Sequence, residues 1–181
     1  MHKLCFVSAR FYNVKYQASI MTDCNYRDAN IIGVDYFNCN MRETSFKNAR
    51  LKNVVFFNCN LKGVDFAGTQ FDDVTFISTN LQEPKNLNPG IRILRTYRTI
   101  NIDRLVEDRL LVLAKNKSIF NAKVLHVNKN KLNQWTIGLI YDKYGIDGID
   151  TLSRILCKKE KWNNMYTVFS YMLLIENWNK K

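Results

Sequence analysis

Large apolar residues recur at every fifth position along the first half of the chain. The series starts at Phe11, Tyr16, Met21 and Tyr26 and runs without a break to Phe71, Phe76 and Leu81. A second column lies two residues before the first, from Ala9, Val14 and Ser19 to Val74 and Thr79, and no member is larger than valine. Neither the 3.6-residue period of a helix nor the two-residue period of a strand produces two locked columns of this kind. The pattern predicts a chain that turns every five residues and points one large and one small side chain inward per segment. A longer period sits on top of it. Val14, Val34, Val54 and Val74 are twenty apart; positions 16, 36, 56 and 76 are all aromatic, and positions 21, 41, 61 and 81 are Met or Leu. Four five-residue sides therefore close one square coil, with like residues stacked on like. At a strand spacing of about 4.8 Å, four coils make a stub roughly 20 Å tall.

Ala29-Asn30-Ile31, Ala49-Arg50-Leu51 and Cys59-Asn60-Leu61 carry this signature most directly. Over residues 4–83 the chain resembles the pentapeptide-repeat family, whose consensus is A(D/N)Lxx. The resemblance implies a right-handed quadrilateral β-helix of about four coils. The first pentad departs from the pattern, since Leu4 occupies a small slot. Cys24, Cys39 and Cys59 fall in small slots where Ser, Thr, Ala and Val also occur, so they read as packed thiols. Asn13, Asn38, Asn48, Asn53 and Asn58 fall at the corners, where asparagine tolerates a left-handed backbone. Both ends of a β-helix expose backbone donors and acceptors. Whatever follows Pro89 is placed to cap the C-terminal one.

Pro84 and Pro89, the only prolines, flank a short stretch that ends in Gly90. That composition reads as a linker over 84–90, between a β-helix over 1–83 and a second domain over 91–181. The fold class expected is mainly β plus α, the β-helix being followed by a small α-helical domain. Helices are predicted over 91–99, over 102–115 with Asn101 as N-cap, after Ser118, over 131–144 ending at Gly145, from Asp150 onward, and over 164–177.

Charge sharpens this division. The chain of 181 residues has a formal net charge of +11. Residues 1–83 hold nine Lys/Arg and eight Asp/Glu, a net of +1, whereas residues 84–181 hold eighteen and eight, a net of +10. Any anionic partner is therefore expected past the linker. Arg92, Arg95 and Arg98, spaced by three beside Tyr97, form a candidate anion-binding patch if that stretch is helical. The plainer reading of the same residues is a solvated face beside the linker. Lys115, Lys117, Lys123, Lys129, Lys131, Lys158, Lys159 and Lys161 add charge but read as ordinary surface. The last helix, uncharged from Asn164 to Ile175 and flanked by Trp162 and Trp178, reads first as a core helix. Its alternatives are a self-association or partner face formed by Met165, Val168, Phe169 and Met172, or a membrane-surface element. Family resemblance supports the partner face, since many pentapeptide-repeat proteins dimerise through a C-terminal hydrophobic element.

Catalytic machinery is not legible. His2 and His126 lack ligand partners at metal spacing, and no P-loop, GxGxxG or GxSxG occurs. Asp142 to Asp150 has the wrong acidic spacing for a calcium loop, and Ser153 stands where the closing Glu belongs. No metal, cofactor or enzymatic activity is expected. Five cysteines without CxxC spacing favour a reducing compartment. Leu4-Cys5-Phe6-Val7 is too short for a secretory signal, and no run approaches the length of a membrane span. The expected location is cytoplasmic, or a host cell reached by signal-peptide-independent secretion.

The functional expectation is a non-enzymatic protein-interaction or scaffold protein, with a homodimer and an unidentified protein partner in view. The resemblance extends to bacterial effectors and virulence factors delivered into host cells. The alternative is anionic-lipid or nucleic-acid binding by residues 91–181. A topoisomerase-binding DNA mimic, the mode of the quinolone-resistance members, requires a long acidic rod, and a four-coil repeat of net +1 departs from it.

Overall fold

The computed structural model describes residues 2–88, 91–96, 99–158 and 164–180. The chain divides into two compact units, Met1–Thr96 and Tyr97–Lys181.

The first unit is a β-solenoid of about four turns. Its faces are built from β1 (Arg10–Tyr12), β2 (Lys15–Gln17), β3 (Asn30–Ile32), β4 (Asp35–Phe37), β5 (Arg50–Phe57), β6 (Gln70–Ile77) and β7 (Arg92–Leu94). Pairing is parallel with a constant offset of twenty, as in Phe11 to Ile31 to Leu51 to Phe71. Two sides form strands; the other two are held by single bridges along Cys5, Asn25, Ser45, Asp65 and Lys85 and along Ile20, Asn40, Asn60 and Asn80.

The corners explain why five residues suffice per side. Every fifth residue from Lys3 to Glu83 has a positive φ, between 48° and 69°. This left-handed turn costs an L-residue about 1–2 kcal/mol, which asparagine and aspartate bear best. The five asparagines assigned to corners all adopt it.

Inside, the large column stacks. Tyr16, Tyr36, Phe56 and Phe76 form one ladder with centroid spacings of 5.3, 4.9 and 5.0 Å and nearly parallel rings. Phe6, Tyr26, Phe46 and Phe66 form a second, at 4.8, 5.1 and 5.6 Å. The ladders meet edge to face, as Phe46 does Phe56 at 6.1 Å. The small column is bonded as well as packed. Thr44, Thr69 and Thr79 each donate a hydroxyl to the carbonyl twenty-three residues earlier, at 2.7 to 2.9 Å. Cys59 does the same with its thiol toward Tyr36 at 3.3 Å. The acceptors belong to the large column one coil below, so this slot favours a short side chain with a donor.

The first described residues of the proline stretch still follow the solenoid. Lys85 still pairs with Asp65 at the offset of twenty. Arg92 then pairs with Thr75, so seven residues cover a course that takes ten in the coil below. Leu87 and Ile91 pack against the core along the way. The predicted helix over 91–99 is thus overturned for its described residues, because β7 extends the sheet by bonding to β6. Three-residue spacing of arginines carries no strand signal, and the exposed edge of β6 supplied the partner.

The second unit contains α1 (Arg104–Val112), a 3-10 turn (Leu113–Lys115), α2 (Lys117–Ala122), a hairpin of β8 (His126–Asn128) and β9 (Lys131–Leu132), α3 (Gln134–Lys158) and α4 (Val168–Trp178). The caps differ from those expected. Asp103 rather than Asn101 caps α1, accepting from the Leu105 amide at 2.8 Å. Asn116 rather than Ser118 caps α2. The expected start at 131 is displaced by β9, and Asn133 accepts from the Trp135 amide at the head of α3. Gly145 interrupts α3 with φ 67°, a conformation suited to glycine. Beyond it, Gly148 gives Tyr144 room, since a Cβ there would lie 2.2 Å from that of Tyr144. Asp150 caps nothing; it lies within the second arm of α3 and pairs with Arg154 at 2.7 Å and Arg109 at 3.6 Å. α4 begins at Val168 because Thr167 and Ser170 form a reciprocal capping box. The core of the unit gathers Leu110, Ile119, Leu125, Ile137, Ile140, Leu152, Leu156, Tyr171 and Ile175, whereas Leu105 of α1 is exposed.

Candidate functional site

The arginine patch does not assemble as a helical face. Arg92 lies on β7, half-buried and engaged in interactions, and Arg95 is exposed just past the strand. Arg98 and Tyr97 lie outside the described residues, as do Lys159, Lys161 and Trp162. Met165, Val168, Phe169 and Met172 are all buried within the chain itself. A partner using them would have to displace existing packing.

What the helical unit offers instead is a cleft of about 480 Å³ between the end of α1, the 3-10 turn, α2 and the turn of the hairpin. Its floor is apolar: Leu111 and Val112 from α1, Ala114 from the 3-10 turn and Phe120 from α2. Val112 is 56% exposed, which leaves an aliphatic surface open to solvent. Lys115, Lys117 and Lys129 line the same cleft, and among the described residues no acidic one does. Lys123 stands beside it with its ammonium 3.6 Å from the centre of the Phe120 ring.

Local chemistry fixes each wall. The Asn116 carboxamide accepts from the Ser118 and Ile119 amides, starting α2 and placing Lys117 and Phe120 on it. Lys123 takes a left-handed conformation at the C-cap, ending α2 after six residues. An Asx turn, Asn130 amide to Asn128 at 2.9 Å, sharpens the hairpin that carries Lys129. Behind the site, His126 is fully buried and bonded through Nε2 to the Leu110 carbonyl at 2.9 Å. Burial lowers its pKa from the ordinary histidine value, so the ring is neutral and donates through Nε2. None of Lys115, Lys117, Lys123 and Lys129 has an ion-pair partner among the described residues. The cleft therefore combines lysine side chains with an apolar lining.

Sequence reasoning counted these lysines as surface and passed over Val112 and Phe120. The available signal was short: four lysines within fifteen residues interleaved with a capped six-residue helix. Only the fold back of the hairpin brings Lys129 to the others.

A second groove of about 300 Å³ runs between α1 and α3, lined by Val106, Arg109, Ile146, Asp147, Asp150 and Arg154 among others. Both of its arginines pair with Asp150. Among the described residues no group of three or more His, Cys, Asp or Glu side chains could hold a metal ion. No helix is long and apolar enough to cross a membrane, again among the described residues. In the solenoid, Cys24, Cys39 and Cys59 are buried free thiols, while Cys5 and Cys157 are exposed. Hydrogen bonding with Cys39, followed by burial, pushes the Cys59 thiol well above the ordinary range, so it stays protonated.

No curated protein matches the chain. A pentapeptide repeat protein from the Arabidopsis thaliana thylakoid lumen is similar at 12% identity, with a TM-score of 0.43 over 59% of this chain and 75% of that one. The pentapeptide repeat protein Rfr23 of the cyanobacterium Cyanothece 51142 gives 12% identity and a TM-score of 0.33 over 51% and 85% of the two chains. QnrB1, a plasmid-mediated fluoroquinolone resistance protein, gives 16% identity and a TM-score of 0.30 over 46% and 56%. The family model of the pentapeptide repeat region matches residues 9–85. The match covers the residues that carry the five-residue corners, the twenty-residue register and the stacked interior, so this part of the chain is a pentapeptide repeat region.

Proposed function

We propose that the protein is a non-enzymatic binding protein in which the β-solenoid serves as a rigid scaffold and the basic helical unit engages an anionic partner. The observation that carries this reading is the group of lysines at one cleft, Lys115, Lys117, Lys123 and Lys129, with no carboxylate paired to them among the described residues. Unpaired cations clustered on one face raise the local potential and draw an anion at a rate and affinity that fall with salt. The partition of charge supports it, with +10 past residue 83 and +1 before it. A near-neutral solenoid of about four coils is unlike an acidic duplex mimic.

The test is binding of full-length protein to a soluble polyanion such as heparin over a range of salt concentrations. Affinity should fall linearly on a log–log plot, as counterion release requires. Reversal of the four lysines to Glu should remove most of the binding. Reversing Arg10, Arg42, Lys47 and Arg50 on the solenoid, an equal change in net charge, should leave most of it. Salt-independent binding, or equal loss in both variants, overturns the proposal.

A further inference from the structure

We infer that the cleft between α1, the 3-10 turn, α2 and the hairpin is a site for an amphipathic anion, an apolar body ended by a carboxylate or phosphate. This rests on the anionic-partner reading and deepens it by naming the ligand's chemistry. The apolar floor is the first argument. Val112 sits near the end of α1 with more than half its surface in water, beside Leu111 and half-buried Phe120. Exposed aliphatic surface in a concave site is stabilised when an apolar group covers it, by roughly 25 cal/mol per Å² removed from water. A simple polyanion lacks such a group and would leave the floor wet.

Charge is the second argument. Lys115 of the 3-10 turn, Lys117 of α2 and Lys129 of the hairpin turn all line the cleft, so three separate elements supply ammonium groups for an anionic end. Among the described residues no acidic side chain lines the cleft, which disfavours a cationic amphiphile. The amides at the head of α2 are already taken by Asn116, so the lysines are the donors for the anion. Size is the third. About 480 Å³ lies within the range of small-molecule sites, which combine an apolar lining with a few placed polar groups. Lysine acts as a point charge and does not dictate a planar acceptor, so carboxylate and phosphate ends are both accommodated. Nucleic acid fits less well, because Lys123 already covers a face of the one aromatic ring in the cleft.

The ligand has two sources, a free amphiphile or an anionic membrane lipid, and the experiment separates them. Full-length protein is titrated calorimetrically with decyl phosphate below its critical micelle concentration and with decyl maltoside as the uncharged control. Binding should saturate at one site, with decyl maltoside at least tenfold weaker. Val112→Glu puts a carboxylate on the exposed floor and should weaken decyl phosphate at least tenfold, while tryptophan fluorescence and circular dichroism confirm the fold. Lys117→Gln and Lys129→Gln should each cost about threefold. Flotation with phosphatidylcholine vesicles containing phosphatidylserine forms the second arm. Vesicle binding lost in Val112→Glu supports the site with a membrane source; decyl phosphate binding without vesicle binding supports it with a free one. Equal affinity for decyl phosphate and decyl maltoside, or wild-type affinity in Val112→Glu, overturns the inference. So does hexaglutamate binding as tightly as decyl phosphate and indifferent to Val112→Glu, which would indicate an acidic peptide. Salt-dependent heparin binding would survive those failures, so the broader proposal is judged separately.

Discussion

Replacing Phe56 by alanine tests whether the aromatic ladder holds the solenoid together. Phe56 is fully buried, stacked on Tyr36 at 4.9 Å and Phe76 at 5.0 Å, and meets Phe46 edge to face at 6.1 Å. Buried Phe→Ala changes cost about 3–5 kcal/mol, more where the site cannot collapse. Collapse is hindered here. The backbones bearing the neighbouring rings are pinned by ladders, with Tyr36 and Phe76 both paired to Phe56 itself. Two stacked contacts, each worth about 0.5–1.5 kcal/mol beyond area, are lost as well. A total near the top of the range, about 4–5 kcal/mol, follows. The control is Phe37→Ala on the outer face, where a half-buried ring stacks on Phe57 at 4.5 Å. With one ring contact and partial burial, it should cost about 1–2 kcal/mol. Urea unfolding followed by far-UV circular dichroism reads the difference. With a slope of about 1–1.5 kcal/mol per molar, Phe56→Ala should lower the solenoid midpoint by about 3–5 M, or unfold the solenoid outright. All three tryptophans lie past residue 84, so their fluorescence follows the helical unit separately. If Phe56→Ala costs less than about 2 kcal/mol, or no more than Phe37→Ala, the stacked interior does not carry the stability assigned to it.

Three further outcomes are expected. Tyr36→Phe should leave stability unchanged or raise it by about 1 kcal/mol, because the buried Tyr36 hydroxyl has no hydrogen-bond partner and the ring alone does the packing; a loss above 1 kcal/mol in urea titration would reveal a bond this account lacks. Ala18→Gly should stabilise the solenoid by about 0.5–1 kcal/mol, since Ala18 is exposed at a corner with φ 48° and relief of left-handed strain exceeds the entropy cost of glycine; a lower urea midpoint would contradict it. The helical unit should weaken as pH falls. His126 has a folded pKa below its unfolded value of about 6.5, so the unfolded chain binds the proton more readily. Its stability contribution is therefore complete above pH about 6.5 and declines as pH drops from there toward the lower folded value. Tryptophan-monitored unfolding should show this slope, and His126→Gln should flatten it.

The solenoid was legible because its rule is local and repeated. One left-handed corner every five residues fixes which side chains point inward, so the columns at Tyr36 and Phe56 or at Thr44 and Cys59 could be assigned from spacing alone. Register needed no further information, since twenty residues return each column to itself. The helical unit obeys no such rule. Apolar spacing located α1 and the break at Gly145, but caps compete over one or two residues, and Asp103 and Asn116 won by reaching the first free amides. The hairpin at 126–132 was invisible because strands of three and two residues leave almost no periodic trace.

By itself, the sequence determined the coil size, the stacked interior, the corner asparagines, the burial of Cys24, Cys39 and Cys59, and the concentration of positive charge past residue 83. Tertiary structure decided two things. An open edge on β6 drew Arg92–Leu94 into the sheet, since unpaired backbone groups there outweigh the weak helical preference of that stretch. And the return of the hairpin brought Lys129 to the same cleft as Lys115, Lys117 and Val112, making a site from residues that look like scattered surface when read in order. Side chains far apart along a chain become a site only when backbone closure brings them together, and no local pattern records that.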